Sequence, residues 1–153
     1  MKHLFLSFIL CAFSGIPFAQ DVSVRKNHLN LNSGVALEGY DAVAYFSQSM
    51  AVKGSRNHAL AHEGVTYYFS SVGNKEIFRK NPSKYEPAYG GWCAYAMGSN
   101  AEKVSVNPKT FKIVDGKLNL FYNKFFNNTL EDWNKDELNL KKKAEINWQK
   151  TLH

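Results

Sequence analysis

Val65-Thr66-Tyr67-Tyr68-Phe69-Ser70-Ser71 is the stretch on which the fold turns. Its β-branched and aromatic residues suit a pleated, half-buried surface, and the two serines that end it are helix-capping residues. A strand running directly into a helix is predicted, with Ser70 or Ser71 as the cap and Ile77 and Phe78 on the helix's apolar side. Upstream, residues from Asn57 read as a partner strand joined to it at Glu63-Gly64. Downstream, residues 111–114 and 118–122 flank Asp115-Gly116, the strongest hairpin signal in the chain. Asn128 followed by Glu131 opens a helical C-terminal region. There Leu140, Ala144 and Trp148 recur every four residues as one apolar stripe that would lie across the sheet. The class is α+β, a small sheet built from β-hairpins and packed by short helices and a C-terminal helix.

The connecting stretches are less regular. Gly39-Tyr40-Asp41-Ala42-Val43-Ala44-Tyr45-Phe46 reads as a turn or short helical piece, and Val52-Lys53-Gly54 as a bend. Pro82 and Pro87 interrupt the chain after the first helix. Residues 90–97 are too apolar for a surface loop, and 104–106 suggest a short strand. Residues 20–32 are polar without periodicity and are expected to be extended. There is no internal repeat. The Asn127-Asn128-Thr129 sequon is a three-residue match of the kind that arises by chance.

The N-terminus has a different character. Lys2 precedes an apolar run from Leu4 to Phe13, followed by Ser14-Gly15-Ile16-Pro17-Phe18-Ala19. That order describes a secretory signal peptide cut behind Ala19, with an apolar run too short to span a bilayer. The expected organisation is a signal peptide at 1–19, a polar leader at 20–33 and a single domain at 34–152. No later segment is apolar enough for a transmembrane helix, so the exported chain should be soluble, in the periplasm or the extracellular medium. The full sequence carries a formal net charge of +6, which becomes +5 once Lys2 leaves with the signal. The lysines at 141–143 read as a solvated helix face, and export argues against a nucleic-acid partner. Once Cys11 leaves with the signal, Cys93 is the only thiol, so no disulfide can form within the chain. Burial of the many aromatic residues must hold the core instead.

Four stretches together resemble the YHS-domain family in its small exported bacterial branch. They are Gly39 to Phe46 as quoted, Gly64-Val65-Thr66-Tyr67-Tyr68-Phe69-Ser70-Ser71, Asn81-Pro82-Ser83-Lys84-Tyr85 and Tyr89-Gly90-Gly91-Trp92-Cys93-Ala94. The resemblance runs from about Gly34 into the C-terminal helix. It implies a compact α+β unit and, by association with relatives described as heavy-metal binders, a role in handling a transition metal such as copper. In those relatives the metal-binding cysteines fall where this chain has Ala44, Ser70 and Asn74. None of these side chains offers the sulfur or imidazole that a soft metal prefers, so that site does not carry over.

The remaining candidate ligands are Cys93, Met97, His62 and His58. Cys93 and Met97 are one helical turn apart, and thiolate with thioether suits Cu(I). His58 and His62 share one face of a strand but stand about 13 Å apart along it, so at most one can join a sulfur site. The plainer reading makes Cys93 a buried small hydrophobe and the histidines exposed hairpin residues. Tyr40, Tyr45, Tyr67, Tyr68, Tyr85, Tyr89, Trp92 and Tyr95 either build the core or line a small-ligand pocket. No serine-nucleophile elbow, phosphate loop or zinc-protease motif is present. The expected role is therefore non-enzymatic: transition-metal handling, or metal-free binding of a small ligand or partner through the aromatic residues. A thiol-dependent enzyme centred on Cys93, with His62 as its base, is the distant third.

Overall fold

The computed structural model describes residues 18–152. The chain opens with helix α1 (Phe18–His28) and two short strands, β1 (Leu31–Asn32) and β2 (Val35–Ala36). A 3-10 turn (Leu37–Gly39) and the single-turn helix α2 (Ala44–Ser47) lead into the hairpin β3 (Ser55–His62) and β4 (Val65–Phe69). These strands form one sheet in the order β1-β2-β4-β3, with β2 parallel to β4 and the other pairs antiparallel. β4 alternates buried Val65, Tyr67 and Phe69 with half-buried Thr66 and Tyr68. That is the period-2 signature of a strand with one face on a core.

Helix α3 (Val72–Lys80) follows at once, and Ser71 caps it by accepting the Asn74 amide at 3.1 Å. Phe78 carries α3 onto the sheet. Its ring lies 4.6 Å from Tyr67 and 5.1 Å from Phe69, centroid to centroid. After α4 (Pro82–Tyr85), the chain from Pro87 to Cys93 runs beside the second hairpin, with bridges Pro87–Leu118 and Cys93–Leu120. This explains why so apolar a stretch is not a surface loop. The second hairpin pairs β5 (Asn107–Val114) with β6 (Lys117–Phe121). Asp115 (φ 48°) and Gly116 (φ 72°) make its tight turn.

Helix α5 (Ala94–Asn100) precedes this hairpin, and a miniature hairpin follows it, β7 (Asn123–Lys124) with β8 (Asn127–Asn128). Asn128 then caps α6 (Thr129–Lys135) by accepting the Leu130 amide, and its side chain reaches Glu131. α7 (Glu137–Thr151) ends the domain. Its Leu140, Ala144 and Trp148 do face inward, but they pack on α5 and the 3-10 turn Ala88–Gly91 rather than across the sheet. The reason is Gly98. A Cβ there would lie 2.5 Å from the Leu140 carbonyl oxygen, so only glycine lets the two helices approach this closely. Lys112 binds Glu137, and the Trp133 indole donates to the same carboxylate at 2.9 Å. The lysine hydrogen bond, more than the indole, holds the Glu137 carboxyl below its ordinary range.

Three expectations change. Residues 20–32 are not extended, since α1 covers most of them. No apolar stripe marks α1 because tertiary contacts hold it instead. Trp92 Nε1 donates to the His28 carbonyl at 2.8 Å, and Asn30 bonds to the Gly90 and Gly91 carbonyls. Residues 104–106 form no strand, because the Val104 carbonyl accepts the Cys93 amide and β5 begins only at Asn107. His58 and His62 are half-buried rather than exposed, on the face of β3 that alternates with exposed Ala59 and Ala61. The apolar run of the expected signal peptide lies outside the described residues, and the cut behind Ala19 falls in the first turn of α1. Among the described residues no helix is long and apolar enough to cross a membrane.

Candidate functional site

The most heavily bonded side chain in the core is Asp41, which is fully buried. Its Oδ1 accepts the amides of Val43 (2.9 Å) and Ala44 (3.3 Å) at the start of α2. Its Oδ2 accepts the Ser70 amide (2.7 Å), the Ser70 hydroxyl (2.6 Å) and the Asn74 side-chain amide (2.7 Å). Among the described residues no lysine or arginine pairs with it. The carboxylate is held instead by donors gathered at the N-terminal ends of α2 and α3, where helix dipoles favour negative charge. Ala44, Ser70 and Asn74 are the three positions at which the resemblance places cysteines. Here an oxygen and nitrogen network closes around Asp41 in their place, and it is saturated.

A separate feature is open to solvent. α1, the segment from Ser83 to Gly90, the β5–β6 turn and α7 surround a cleft of about 980 Å³. On one wall Arg25 binds Glu86 and reaches Glu63 at 3.2 Å, while the Tyr67 hydroxyl donates to Glu86 at 2.8 Å. Burial pulls the Arg25 pKa down, but the Glu86 charge and hydrogen bond outweigh it, and the guanidinium stays charged. Burial first and Glu86 second raise the Tyr67 pKa, so the phenol remains a donor. One turn further along α1, His28 meets Trp148 of α7 edge-on at 6.4 Å. Burial, then Glu145, pushes the Tyr89 phenol up to about 12. Two buried polar atoms on α1 have no hydrogen-bond partner within the described residues, Arg25 Nε and His28 Nδ1. Both belong to residues that line the cleft.

The candidate metal ligands are distributed differently. Cys93 is fully buried, its sulfur 3.4 Å from the Thr129 hydroxyl and accepting the Tyr122 amide at the same distance. Met97 is also fully buried, but it packs with Phe121, Trp133 and Ala144, whereas Cys93 belongs to the main sheet core. His62 stands edge-on to Phe78 with its Nε2 3.8 Å from Glu63, and His58 Nδ1 is buried without a partner. Neither histidine is hydrogen-bonded to Cys93. A buried thiol with no imidazole partner counts against a cysteine nucleophile, which needs an accessible thiolate beside a base. Among the described residues, no group of three His, Cys, Asp or Glu side chains is placed to hold a metal ion.

The fold is that of a small α+β domain with an open cleft on its surface. Residues 43–89 match the family model of the YHS domain, so that segment of the chain is similar to this family. The match spans α2, the β3–β4 hairpin, α3 and α4, so it includes Ser70, Asn74, His58 and His62. Asp41 lies just before it, and Cys93, Met97, α1 and α7 lie outside it. No curated protein and no solved structure matches the chain.

Reading the sequence missed Asp41, Arg25, His28 and Glu86. For Asp41 a signal existed: an aspartate immediately before Ala-Val-Ala-Tyr-Phe is placed to accept the first amides of a helical turn. For the others there was none, since the cleft joins residues from both ends of the chain with its middle. Of the eight aromatic candidates, Tyr45, Tyr67, Tyr85 and Tyr89 are buried, and Tyr67 and Tyr89 also line the cleft.

Proposed function

We propose that this is an exported, non-enzymatic YHS-domain protein that binds a small amphipathic molecule in the cleft between α1 and α7. One observation carries the reading: Arg25 Nε and His28 Nδ1 are buried and unpartnered on the same helix, and both residues line the cleft. Leu29, Pro87 and Trp148 offer an apolar bed, and the Arg25–Glu86–Tyr67 network offers a polar end. Sites for small molecules commonly combine these features. Export rests on the N-terminal segment alone and belongs to the same proposal.

The test uses anilinonaphthalene sulfonate, a dye with an apolar body and one anionic group, titrated into the chain from Gln20 onward. Saturable one-to-one binding in roughly the micromolar range is expected, weakened at least about tenfold by Arg25→Gln combined with His28→Ala. His28→Ala alone keeps the Arg25–Glu86 pair and should give a smaller loss in the same direction. Absence of saturable binding, or binding that ignores both substitutions, overturns the reading.

Transition-metal handling is the alternative that the family raises. Anaerobic titration with Cu(I) against a chelator, with Cys93→Ala as control, separates the two. Tight one-to-one binding lost in the variant would favour the metal role over the cleft.

A further inference from the structure

Between β7 and β8 the chain turns on Phe125 and Phe126, with Lys124 paired to Asn127 on either side. Both phenylalanines have left-handed backbones (φ 51° and 67°). A two-residue turn of this kind favours Asn-Gly, because a side chain there meets its own backbone. Both rings are also almost wholly in solvent, at 89% and 111% relative exposure. The turn thus holds two residues poorly suited to its geometry and exposes two large apolar side chains. Nothing in the packing of the domain requires either of them.

Two exposed lysines, Lys109 and Lys124, flank the tip, and the nearby acid Glu131 is held by the Asn128 side chain at 3.1 Å. Lys112 is bound to Glu137, but among the described residues Lys109 and Lys124 have no acidic partner. Lys109 is exposed on β5 between Asn107 and Thr110, whose side chains both bond to Asn123 at the base of the tip. Two rings together offer roughly 300–500 Å² of apolar surface, short of the about 800 Å² that each partner gives to a stable protein interface. Such a tip is well matched to a lipid surface, where a few aromatic groups enter the headgroup region and flanking lysines meet anionic lipid.

We infer that the Phe125–Phe126 tip, with Lys109 and Lys124, docks the domain reversibly on anionic bilayer surfaces. This site is distinct from the cleft and does not depend on what the cleft binds. Among the described residues no fully buried core side chain precedes Ala36, so the chain from Gln20 onward retains the folded unit and lacks the apolar N-terminal run.

That chain should co-sediment with vesicles of mixed phosphatidylglycerol and phosphatidylcholine, and salt should weaken the association. Phe125→Asn with Phe126→Gly supplies the pair the turn prefers. It should fold at least as stably, leave dye binding in the cleft unchanged, and lose at least about tenfold in vesicle partitioning. Lys109→Gln with Lys124→Gln should weaken binding and its salt dependence while leaving the rings in place. Three results would each overturn the inference: no sedimentation of the wild type, equal binding to pure phosphatidylcholine, or a double-phenylalanine variant that binds as well as wild type. Self-association of the wild type, abolished by the phenylalanine substitutions and without vesicle binding, would assign the tip to a second copy of the chain instead.

Discussion

Asp41→Ala is expected to cost about 3–5 kcal/mol of folding stability, the largest effect of any polar substitution in this chain. Removing the carboxylate takes an acceptor from five donors together: the amides of Val43, Ala44 and Ser70, the Ser70 hydroxyl and the Asn74 side chain. Of these, the Ala44 amide keeps the Asp41 carbonyl and Asn74 keeps the Ser70 hydroxyl. Hydrogen bonds to a charged group are worth about 1.5–3 kcal/mol each when lost singly, and such losses do not add within one network. With total stabilities of about 5–15 kcal/mol usual for a domain, the variant should be marginal at room temperature. Asp41→Asn keeps the shape but turns an amide donor toward other donors, so it should recover only part of the loss. Denaturant unfolding followed by tryptophan fluorescence reads both. A change below about 1 kcal/mol for Asp41→Ala would mean that water replaces the carboxylate at little cost, and the hub would lose its structural importance.

Phe78→Ala should be of similar size, about 3–5 kcal/mol, through a different cause. Phe78 is fully buried, and its ring touches those of Tyr67, Phe69, Tyr85 and His62. Truncation leaves a cavity between β4 and α3 that these rings cannot fill without leaving their places. Phe78→Leu should restore most of the loss by filling most of the volume. The substitution also has a reach beyond stability. Tyr67 packs on Phe78 with one face and donates to Glu86 in the cleft with its hydroxyl. A folded Phe78→Leu variant should therefore show weaker dye binding than wild type, although residue 78 does not line the cleft. Unchanged stability of Phe78→Ala, measured by the same unfolding curves, would contradict this account of the core.

Much of the fold was legible because local chemistry and tertiary need agree. Val65 to Phe69 alternates as a strand should, Ser71 caps the helix that follows, Asp115-Gly116 makes its hairpin, and Asn128 caps α6. The inward stripe of α7 was visible, but its partner was not, because the deciding residue is Gly98 on another helix. α1 was illegible for the same kind of reason. Its hold on the domain comes from Trp92, Gly90 and Glu86, far along the chain. The spacing of Cys93 and Met97 suggested one sulfur site, yet Cys93 sits at the cap position of α5 and Met97 inside it, and the two sulfurs enter different cores. Spacing gives the direction of a side chain only where the element around it is regular.

The Asp41 hub also sets a clock. Three of its five donors are backbone amides, drawn from two segments that are far apart in sequence. Exchange of any of these hydrogens with solvent requires that a buried carboxylate lose its partners, which local fraying at a helix end or loop cannot do. The amides of Val43, Ala44 and Ser70 are therefore expected among the slowest in the domain to exchange with solvent, which hydrogen exchange would measure.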